Sequence, residues 1–191
     1  MRREIVNLKF RRRRESLTDY RKRLALVKSG MDRVVIRKTN KRILAQIVRY
    51  TEKGDVTAIS VDSNELEDFK WSPRANRPTA YLTGLLLARK LKAEDAQKEH
   101  ILDIGLSSPV KNSIPFVFAK GCIDGGMKLR GSIEIDEKVY NYSNVKHVME
   151  LKEKDPDGYK RQYGKYLEKG AAPETLHKSF TDAKAMILAR K

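Results

Sequence analysis

The sequence predicts an α/β fold: a three-stranded antiparallel meander extended by α-β-α units into a small mixed sheet. Three β-rich runs, separated by short turn segments, follow one another between residues 33 and 61. An apolar helix and a short aliphatic strand come next, which is the order of a crossover unit. We predict a basic arm with a short helix at residues 1–30, an α/β core at 31–135, and a helical C-terminal extension at 136–191.

The N-terminal arm begins without a sustained hydrophobic period. Isolated apolar residues alternate with polar ones as far as Phe10, and Arg11–Arg14 then interrupt the pattern, which predicts an extended segment. A short basic helix is predicted near Leu17–Val27. It should end at Ser29 and Gly30, because glycine readily adopts the left-handed conformation that closes helices.

The meander consists of Arg33–Lys38, Ile43–Tyr50 and Asp55–Val61. These runs are rich in β-branched residues, which favour strands. The segments between them, at 39–41 and 52–54, are short enough for hairpin turns, so neighbouring strands should be antiparallel.

The units after the meander are an apolar helix over roughly Ala80–Leu91, a short buried strand at Ile101–Ile104 and a second helix at Phe116–Cys122. A proline precedes each helix, where its missing amide costs no hydrogen bond. Beyond Asp136 the pattern is amphipathic and helical in pieces separated by prolines. We expect this extension to have little core of its own.

Positive charge is concentrated at the N-terminus. The first 42 residues carry 16 Lys and Arg against 4 Asp and Glu, a net charge of +12 out of +16 for the whole chain. Such a block needs a polyanion, and the guanidinium group of arginine matches phosphate oxygens. No membrane is expected, because the longest aliphatic run, Leu85–Ala88, is too short to span a bilayer and no signal peptide is present. The single cysteine, Cys122, indicates a reducing, cytoplasmic location.

Two groups of residues are candidate RNA-binding sites, and the first joins the arm to the meander. Because side chains alternate along a strand, Arg33 and Arg37 should share a face with Val35 and extend the charge of the arm across the sheet. Alternatively, these strand residues form a solvated basic edge that prevents aggregation. The first group is Arg11, Arg12, Arg13, Arg14, Tyr20, Arg21, Lys22, Arg23, Lys28, Arg33, Arg37, Lys38, Asn40, Lys41 and Arg42.

The second group lies in a proline-stiffened loop before the first core helix. Arg74, Asn76 and Arg77 supply hydrogen-bond donors next to a helix N-terminus, which itself attracts anions. Trp71 offers a flat face on which an unpaired base or a ribose could stack. The alternative is that Trp71 is a hydrophobic lid over the sheet edge.

Enzyme signatures are missing from the sequence. It contains none of the common phosphate-binding, dinucleotide-binding or zinc motifs, so we predict no catalytic residue, no cofactor and no metal. The histidines lie among polar residues and are expected at the surface: His100, His147 and His177. Cys122 lies on an apolar helix face and should be a buried packing residue.

A two-metal nuclease is an alternative interpretation of the sequence, because a meander followed by α-β-α units is also found in ribonuclease-H-like sheets. Asp62, Asp103 and Asp124 lie at the ends of predicted elements. Two-metal chemistry needs carboxylates that converge on ions about 4 Å apart, and the leading one belongs in the first strand. That strand has no carboxylate among Val34, Val35 and Ile36, so we expect Asp103 to be a capping or turn residue.

Five segments in conserved order resemble a known family. They are Thr18–Leu24, Ser29–Lys41, Ala45–Val48, Asn76–Leu86 and Ile101–Leu106. Together they closely resemble the archaeal form of the universal large-subunit ribosomal protein number eighteen, a 5S rRNA-binding family, over roughly residues 9–135. Residues 158–166 resemble the extension that this branch carries. The usual Gly-Lys-Pro-Arg turn reads Gly-Met-Asp-Arg here, at residues 30–33.

The resemblance implies a structural constituent of the large ribosomal subunit. Such a protein binds 5S rRNA and attaches it to 23S rRNA in the central protuberance. Its neighbours there are the other 5S rRNA-binding large-subunit protein and further central-protuberance proteins. The basic arm, poor in apolar residues, should fold only along RNA. A free-standing basic RNA chaperone or nucleic-acid-compacting protein would also carry such an arm, but the order of the motifs favours the ribosomal interpretation.

Overall fold

The computed structural model of the protein describes residues 8–92, 95, 97–141, 145–167 and 175–190. Its strands are β1 (Asp32–Lys38), β2 (Ile43–Thr51), β3 (Gly54–Asp62), β4 (Glu99–Asp103) and β5 (Lys128–Leu129). Its α-helices are α1 (Arg11–Arg14), α2 (Tyr20–Lys28), α3 (Arg77–Lys90), α4 (Ile114–Asp124), α5 (Val145–Lys154), α6 (Pro156–Leu167) and α7 (Leu176–Ala189). Short 3-10 helices lie at Ser63–Phe69 and Glu137–Val139.

The strands form one mixed sheet in the order β3-β2-β1-β4-β5. β1, β2 and β3 pair in antiparallel fashion, whereas β4 pairs parallel to β1 and β5 pairs parallel to β4. The predicted meander extended into a small mixed sheet is therefore confirmed. The β2–β3 register shifts between Ile47 and Val48: these neighbours pair with Ile59 and Thr57, so Ala58 of β3 has no partner in β2.

The first face of the sheet carries the core. Val34 and Ile36 of β1 lie opposite Ile47 and Ala45 of β2, and all four side chains are buried. Helix α3 covers this face and is buried along nearly its whole length, because apolar residues surround its axis.

Two glycines bring α3 and α4 into close contact. A Cβ atom added to Gly84 would overlap the carbonyl oxygen of Phe118, and one added to Gly121 would overlap the carbonyl oxygen of Tyr81. The two backbones therefore meet directly, since no side chain separates them. Burial raises the pKa of the Tyr81 hydroxyl, which donates a hydrogen bond of 2.9 Å to Asp124 Oδ2.

The C-terminal helix α7 belongs to the same core. Phe180, Ala183 and Ile187 follow one another at helical spacing, are fully or almost fully buried, and pack with the residues beneath α3. The helical character predicted beyond residue 136 is confirmed, but the last helix does not form a separate layer. Helices α5 and α6 pack on each other, and Lys152 Nζ of α5 lies 5.8 Å from the centre of the Tyr159 ring of α6.

The described part of the arm is partly helical, contrary to the extended segment that the sequence predicted. Arg14 donates its backbone N–H to the carbonyl of Phe10 at 3.0 Å, and Glu15 donates to Arg11 at 3.0 Å. Arginine is a good helix former, so these local bonds close one turn. Residues 1–7 of the predicted arm lie outside the described residues. The helix predicted near Leu17–Val27 is confirmed as α2, with Asp19 as its N-cap.

The prediction that all three histidines lie at the surface was wrong for His100. Its side chain is fully buried on the core face of β4, because strand alternation overrides the polar residues that flank it in sequence. His177 is half-buried, with Nδ1 2.6 Å from the carbonyl oxygen of Asn141. The side chain of His147 lies outside the described residues. Cys122 is buried as predicted, and burial raises the pKa of its thiol.

The contact between α3 and α4 makes a testable prediction. We expect Gly84→Ala to lower the free energy of unfolding by about 1–3 kcal/mol, because the added methyl group overpacks the helix contact. Gly164→Ala is the matched control: its added Cβ meets nothing within 4 Å. That change should raise stability by up to about 1 kcal/mol through helix propensity. Urea unfolding measures both, and equal effects from the two variants would contradict the close contact.

Candidate nucleic-acid interface

The second face of the sheet is linked to helix α2 by ion pairs. Arg23 Nη2 of α2 donates to Asp55 Oδ2 of β3 at 2.7 Å. From β1, Arg33 Nη2 lies 2.7 Å from the same oxygen, and Arg33 Nη1 lies 3.4 Å from Asp103 Oδ2 of β4. The Asp55 carboxylate of β3 therefore contacts both α2 and β1. The Arg33 guanidinium of β1 contacts both β3 and β4.

Arg33 is the clearest departure from the predicted RNA-binding set. It shares a face with Val35 as predicted, but only 4% of its side chain is exposed. The reason is that α2 lies near this face, where Asp55 and Asp103 supply the opposite charges that a buried guanidinium needs. Arg33 is therefore held inside the fold by two carboxylates.

Asp103 organises the end of β4. Its Oδ1 accepts the backbone N–H of Gly105 at 2.8 Å, which confirms the turn role predicted for this residue. Arg37 Nη1 donates to the carbonyl oxygens of Ile36 and Asp103 at 2.8 and 3.1 Å. The guanidinium also lies 3.0 Å from a Cβ position at Gly105, where φ is +63°, so only glycine fits there without strain. Because 46% of the Arg37 side chain remains exposed, it is held in place and still faces outward.

A cleft of about 640 Å³ separates the α1–α2 region from this face of the sheet. Its apolar floor includes Leu26, Val35 and Val48. Its charged lining comes from the arm, α2, β1, β3 and β4: Arg12, Asp19, Lys22, Arg23, Arg33, Arg37, Lys38, Asp55 and Asp103. Six of the predicted basic residues thus line one cavity: Arg12, Lys22, Arg23, Arg33, Arg37 and Lys38.

Part of the positive charge around this cleft is neutralised internally. Arg11 pairs with Glu15 at 3.1 Å, Arg42 pairs with Asp62 at 3.1 Å, and Lys22 approaches Asp19 at 3.9 Å. Six other basic residues, in α1, α2, the end of β1 and the β1–β2 turn, are exposed and form neither an ion pair nor a side-chain hydrogen bond within the described residues. These cations are Arg13, Arg14, Arg21, Lys28, Lys38 and Lys41. We call them the unpaired cations.

The loop of the second predicted group is a helix-capping structure. Trp71 is only 3% exposed, its Nε1 donates to Thr79 Oγ1 at 3.0 Å, and its ring meets Phe180 edge-to-face at 6.0 Å. Asn76 caps α3 by accepting the Thr79 backbone N–H at 3.1 Å. The stacking interpretation of Trp71 is therefore not compatible with its burial. Arg74 is half-buried and Arg77 is exposed in the first turn of α3.

The carboxylates considered for a metal centre each have a structural partner. Asp62 caps the 3-10 helix at Ser63–Phe69, and Asp124 accepts from Tyr81 and from Lys120, the latter at 2.7 Å. In the described part of the chain, no group of three or more acidic, histidine or cysteine side chains is placed to hold a metal ion. No helix there has the length and apolar character needed to cross a membrane.

Comparison with known proteins identifies the family. Residues 5–101 match the family of ribosomal large subunit proteins 60S L5 and 50S L18. The large ribosomal subunit protein uL18 of Methanococcus maripaludis is 44% identical over 182 residues, covering 94% of this chain and 94% of that protein. The chain belongs to this family. The resemblance stated from the motifs is thereby confirmed.

Membership of the L5/L18 family fixes the general role of the protein. The family consists of structural proteins of the large ribosomal subunit and is not an enzyme family. Its partners are the ribosome and rRNA, in agreement with the arginine-rich arm. The unpaired cations are the part of this L18-type chain best suited to meet RNA phosphates.

Sequence reasoning missed one exposed aromatic residue on the second face. Tyr50 lies two residues after the buried Val48 in β2 and is 55% exposed. The available signal was its outward position by strand alternation, just before a hairpin turn. A large exposed aromatic ring beside a charged cleft is a candidate contact residue in an RNA-binding protein.

Burial of Trp71 makes a direct prediction. Trp71→Ala should lower the free energy of unfolding by about 3–5 kcal/mol, because it removes a large core side chain and leaves a cavity. Trp71→Phe should cost less, since it keeps much of the packing with Phe180. Denaturant unfolding measures both. The native emission of this single tryptophan should be blue-shifted, and a red-shifted emission would contradict its place in the core.

The buried ion pairs make another prediction. Asp103→Ala should lower the free energy of unfolding by about 3–5 kcal/mol, because it leaves the Arg33 guanidinium buried with one partner fewer. Glu15→Ala removes the exposed partner of Arg11 and should cost no more than about 1 kcal/mol. Thermal unfolding at a fixed pH compares the two. A cost for Asp103→Ala no larger than for Glu15→Ala would show that Arg33 does not depend on it.

Proposed function

We propose that this protein binds 5S rRNA and attaches it to 23S rRNA in the central protuberance of the large ribosomal subunit, in the cytoplasm. The observation that carries the proposal is the exposed positive charge on α1, α2 and the end of β1. Arg12, Lys22, Arg37 and Lys38 line one cleft, and the other unpaired cations lie on the same elements and on the β1–β2 turn. In a ribosomal family, such charge without internal carboxylate partners is the natural counterpart of RNA phosphates.

The exposed basic residues of the arm, α2 and the β1–β2 hairpin bind the RNA phosphates. They are Arg11, Arg12, Arg13, Arg14, Arg21, Lys22, Lys28, Arg37, Lys38, Lys41 and Arg42. Asn40 lies in the exposed β1–β2 turn among them, and Arg77 adds a charge at the exposed N-terminus of α3. Arg33 and Trp71 hold the fold, while Arg23 fixes α2 to β3 through Asp55.

Shape makes these contacts selective. Phosphate contacts set affinity and register but discriminate little between sequences. Because Arg23 and Asp55 link α2 to the sheet, the cations of α2 stand at fixed distances from those of β1. A folded RNA that presents phosphates at matching distances binds without the free-energy cost of rearranging the protein. The arm preceding α2 then closes along the RNA.

The proposal predicts a specific change in salt dependence. Changing Arg12, Arg13 and Arg14 together to Gln should weaken 5S rRNA binding and reduce the log–log salt slope by about 2–3 units, at roughly 0.7–0.9 per phosphate contact. The control changes Lys154, Lys160 and Arg161 to Gln, which removes the same charge from α5 and α6. Filter binding over a series of salt concentrations measures both variants against 5S rRNA and against a tRNA of similar size.

Two results would contradict the proposal. If the arm and control variants lose slope equally, net charge alone drives binding and no located site exists. If the wild-type protein binds tRNA as tightly as 5S rRNA, it is a general RNA binder. A supporting result in cell extracts is co-sedimentation with large subunits that is released only at high salt.

A further inference from the structure

We propose that Tyr20 and Tyr50 form a two-ring platform on which unpaired bases of the bound RNA stack; this deepens the RNA-binding function proposed above and rests on it. Tyr50 projects from the second face of the sheet near the end of β2. Its cross-strand partner is Asp55, whose carboxylate meets Arg33 and Arg23 on that same face. The ring of Tyr50 therefore lies beside the ion pairs that link α2 to the sheet.

Tyr20 lies at the other side of the same ion pair. It is the first residue of α2, and residues three apart in a helix are neighbours on its surface, which places Tyr20 next to Arg23. Arg23 donates to Asp55 at 2.7 Å, and Asp55 lies opposite Tyr50 in the β2–β3 pairing. Helix spacing, one ion pair and one cross-strand pairing thus connect Tyr20 to Tyr50 through Arg23 and Asp55.

Both rings are exposed and unused by the fold. Tyr50 is 55% exposed and Tyr20 is 37% exposed. Within the described residues neither ring contacts another aromatic ring or a cation, and neither hydroxyl forms a hydrogen bond. The buried tyrosines behave differently, since Tyr81 stacks on Tyr140 at 4.3 Å. Two exposed rings on either side of the Arg23–Asp55 ion pair, with no internal partner among the described residues, are available to an external planar group.

The charge around the rings favours RNA as the source of that planar group. Arg21 and Lys22 follow Tyr20 directly, and Lys53 lies in the hairpin turn that follows Tyr50; all three side chains are exposed. A base stacked on either ring would have its own phosphates within reach of these cations. Stacking on an aromatic face stabilises any unpaired base. The platform therefore favours unpaired nucleotides over nucleotides in a helix, but it does not distinguish one base from another.

Ring removal tests the platform. Tyr50→Ala and Tyr20→Ala should each weaken 5S rRNA binding by about 5- to 150-fold, the effect of losing one stacked base. Tyr50→Phe and Tyr20→Phe should bind like the wild type, because the ring remains. Val56→Ala is the control: Val56 is similarly exposed in the neighbouring strand, but lies on the opposite face, paired with Arg49. It should leave binding unchanged, and urea unfolding establishes that every variant is folded.

A spectroscopic probe reports stacking directly. Tyr50→Trp adds an exposed indole to the buried Trp71, so the variant should show additional red-shifted emission that saturating 5S rRNA quenches. The wild-type emission, which comes from Trp71 alone, should not change. Alanine variants that bind as tightly as the wild type, or an unquenched Tyr50→Trp emission, would overturn the platform while leaving 5S rRNA binding in place.

Two further outcomes separate this inference from the function on which it rests. If the wild-type protein shows no preference for 5S rRNA over tRNA, the proposed function fails and the platform fails with it. If Tyr50→Ala binds 5S rRNA normally but does not join large subunits, the ring belongs to a contact with a neighbouring ribosomal protein, and the platform is wrong.

Discussion

The buried guanidinium of Arg33 is the constraint on which the second face of the sheet depends. It lies in β1, yet its partners Asp55 and Asp103 belong to β3 and β4, so one charge links three strands. Asp55 also meets Arg23, which extends the link to α2. A charge this deeply buried is tolerated only while its partners stay in place. The position of the basic helix is therefore coupled to the integrity of the sheet.

The alternation of side chains along β1 separates an apolar core face from a charged face. Val34 and Ile36 point into the core, where α3, α4 and α7 cover them with apolar groups. Arg33, Val35 and Arg37 point to the other side, where the surface is charged and α2 leaves an open cleft. A single strand thus carries both the apolar interior and the charged face beside the cleft, so the position of one face determines the position of the other.

Local signals were enough to predict most of the fold. The meander, the helix–strand–helix order and the division of β1 into two faces follow from strand alternation and turn residues, and the motifs identified the family. Contacts between distant segments decided the rest. Arg33 was assigned to RNA because its partner Asp103 lies 70 residues away. Trp71 was considered a stacking residue because Phe180, which covers it, comes near the end of the chain. His100 was misplaced because its polar neighbours in sequence are not its neighbours in space.

The same long-range contacts change how the charge of the chain should be counted. Formal charge treats Arg33 and Arg13 alike, but a cation already paired with a carboxylate must give up that partner, or share it, before it can bind a phosphate. An unpaired cation gives up only its counterions, and the entropy of their release favours binding. Affinity for RNA should therefore follow the unpaired cations of α1, α2 and the β1–β2 turn more closely than the total of +16. The paired arginines contribute indirectly, because Arg23 holds α2 against the sheet and so fixes the spacing of the unpaired cations that we propose to bind the RNA backbone.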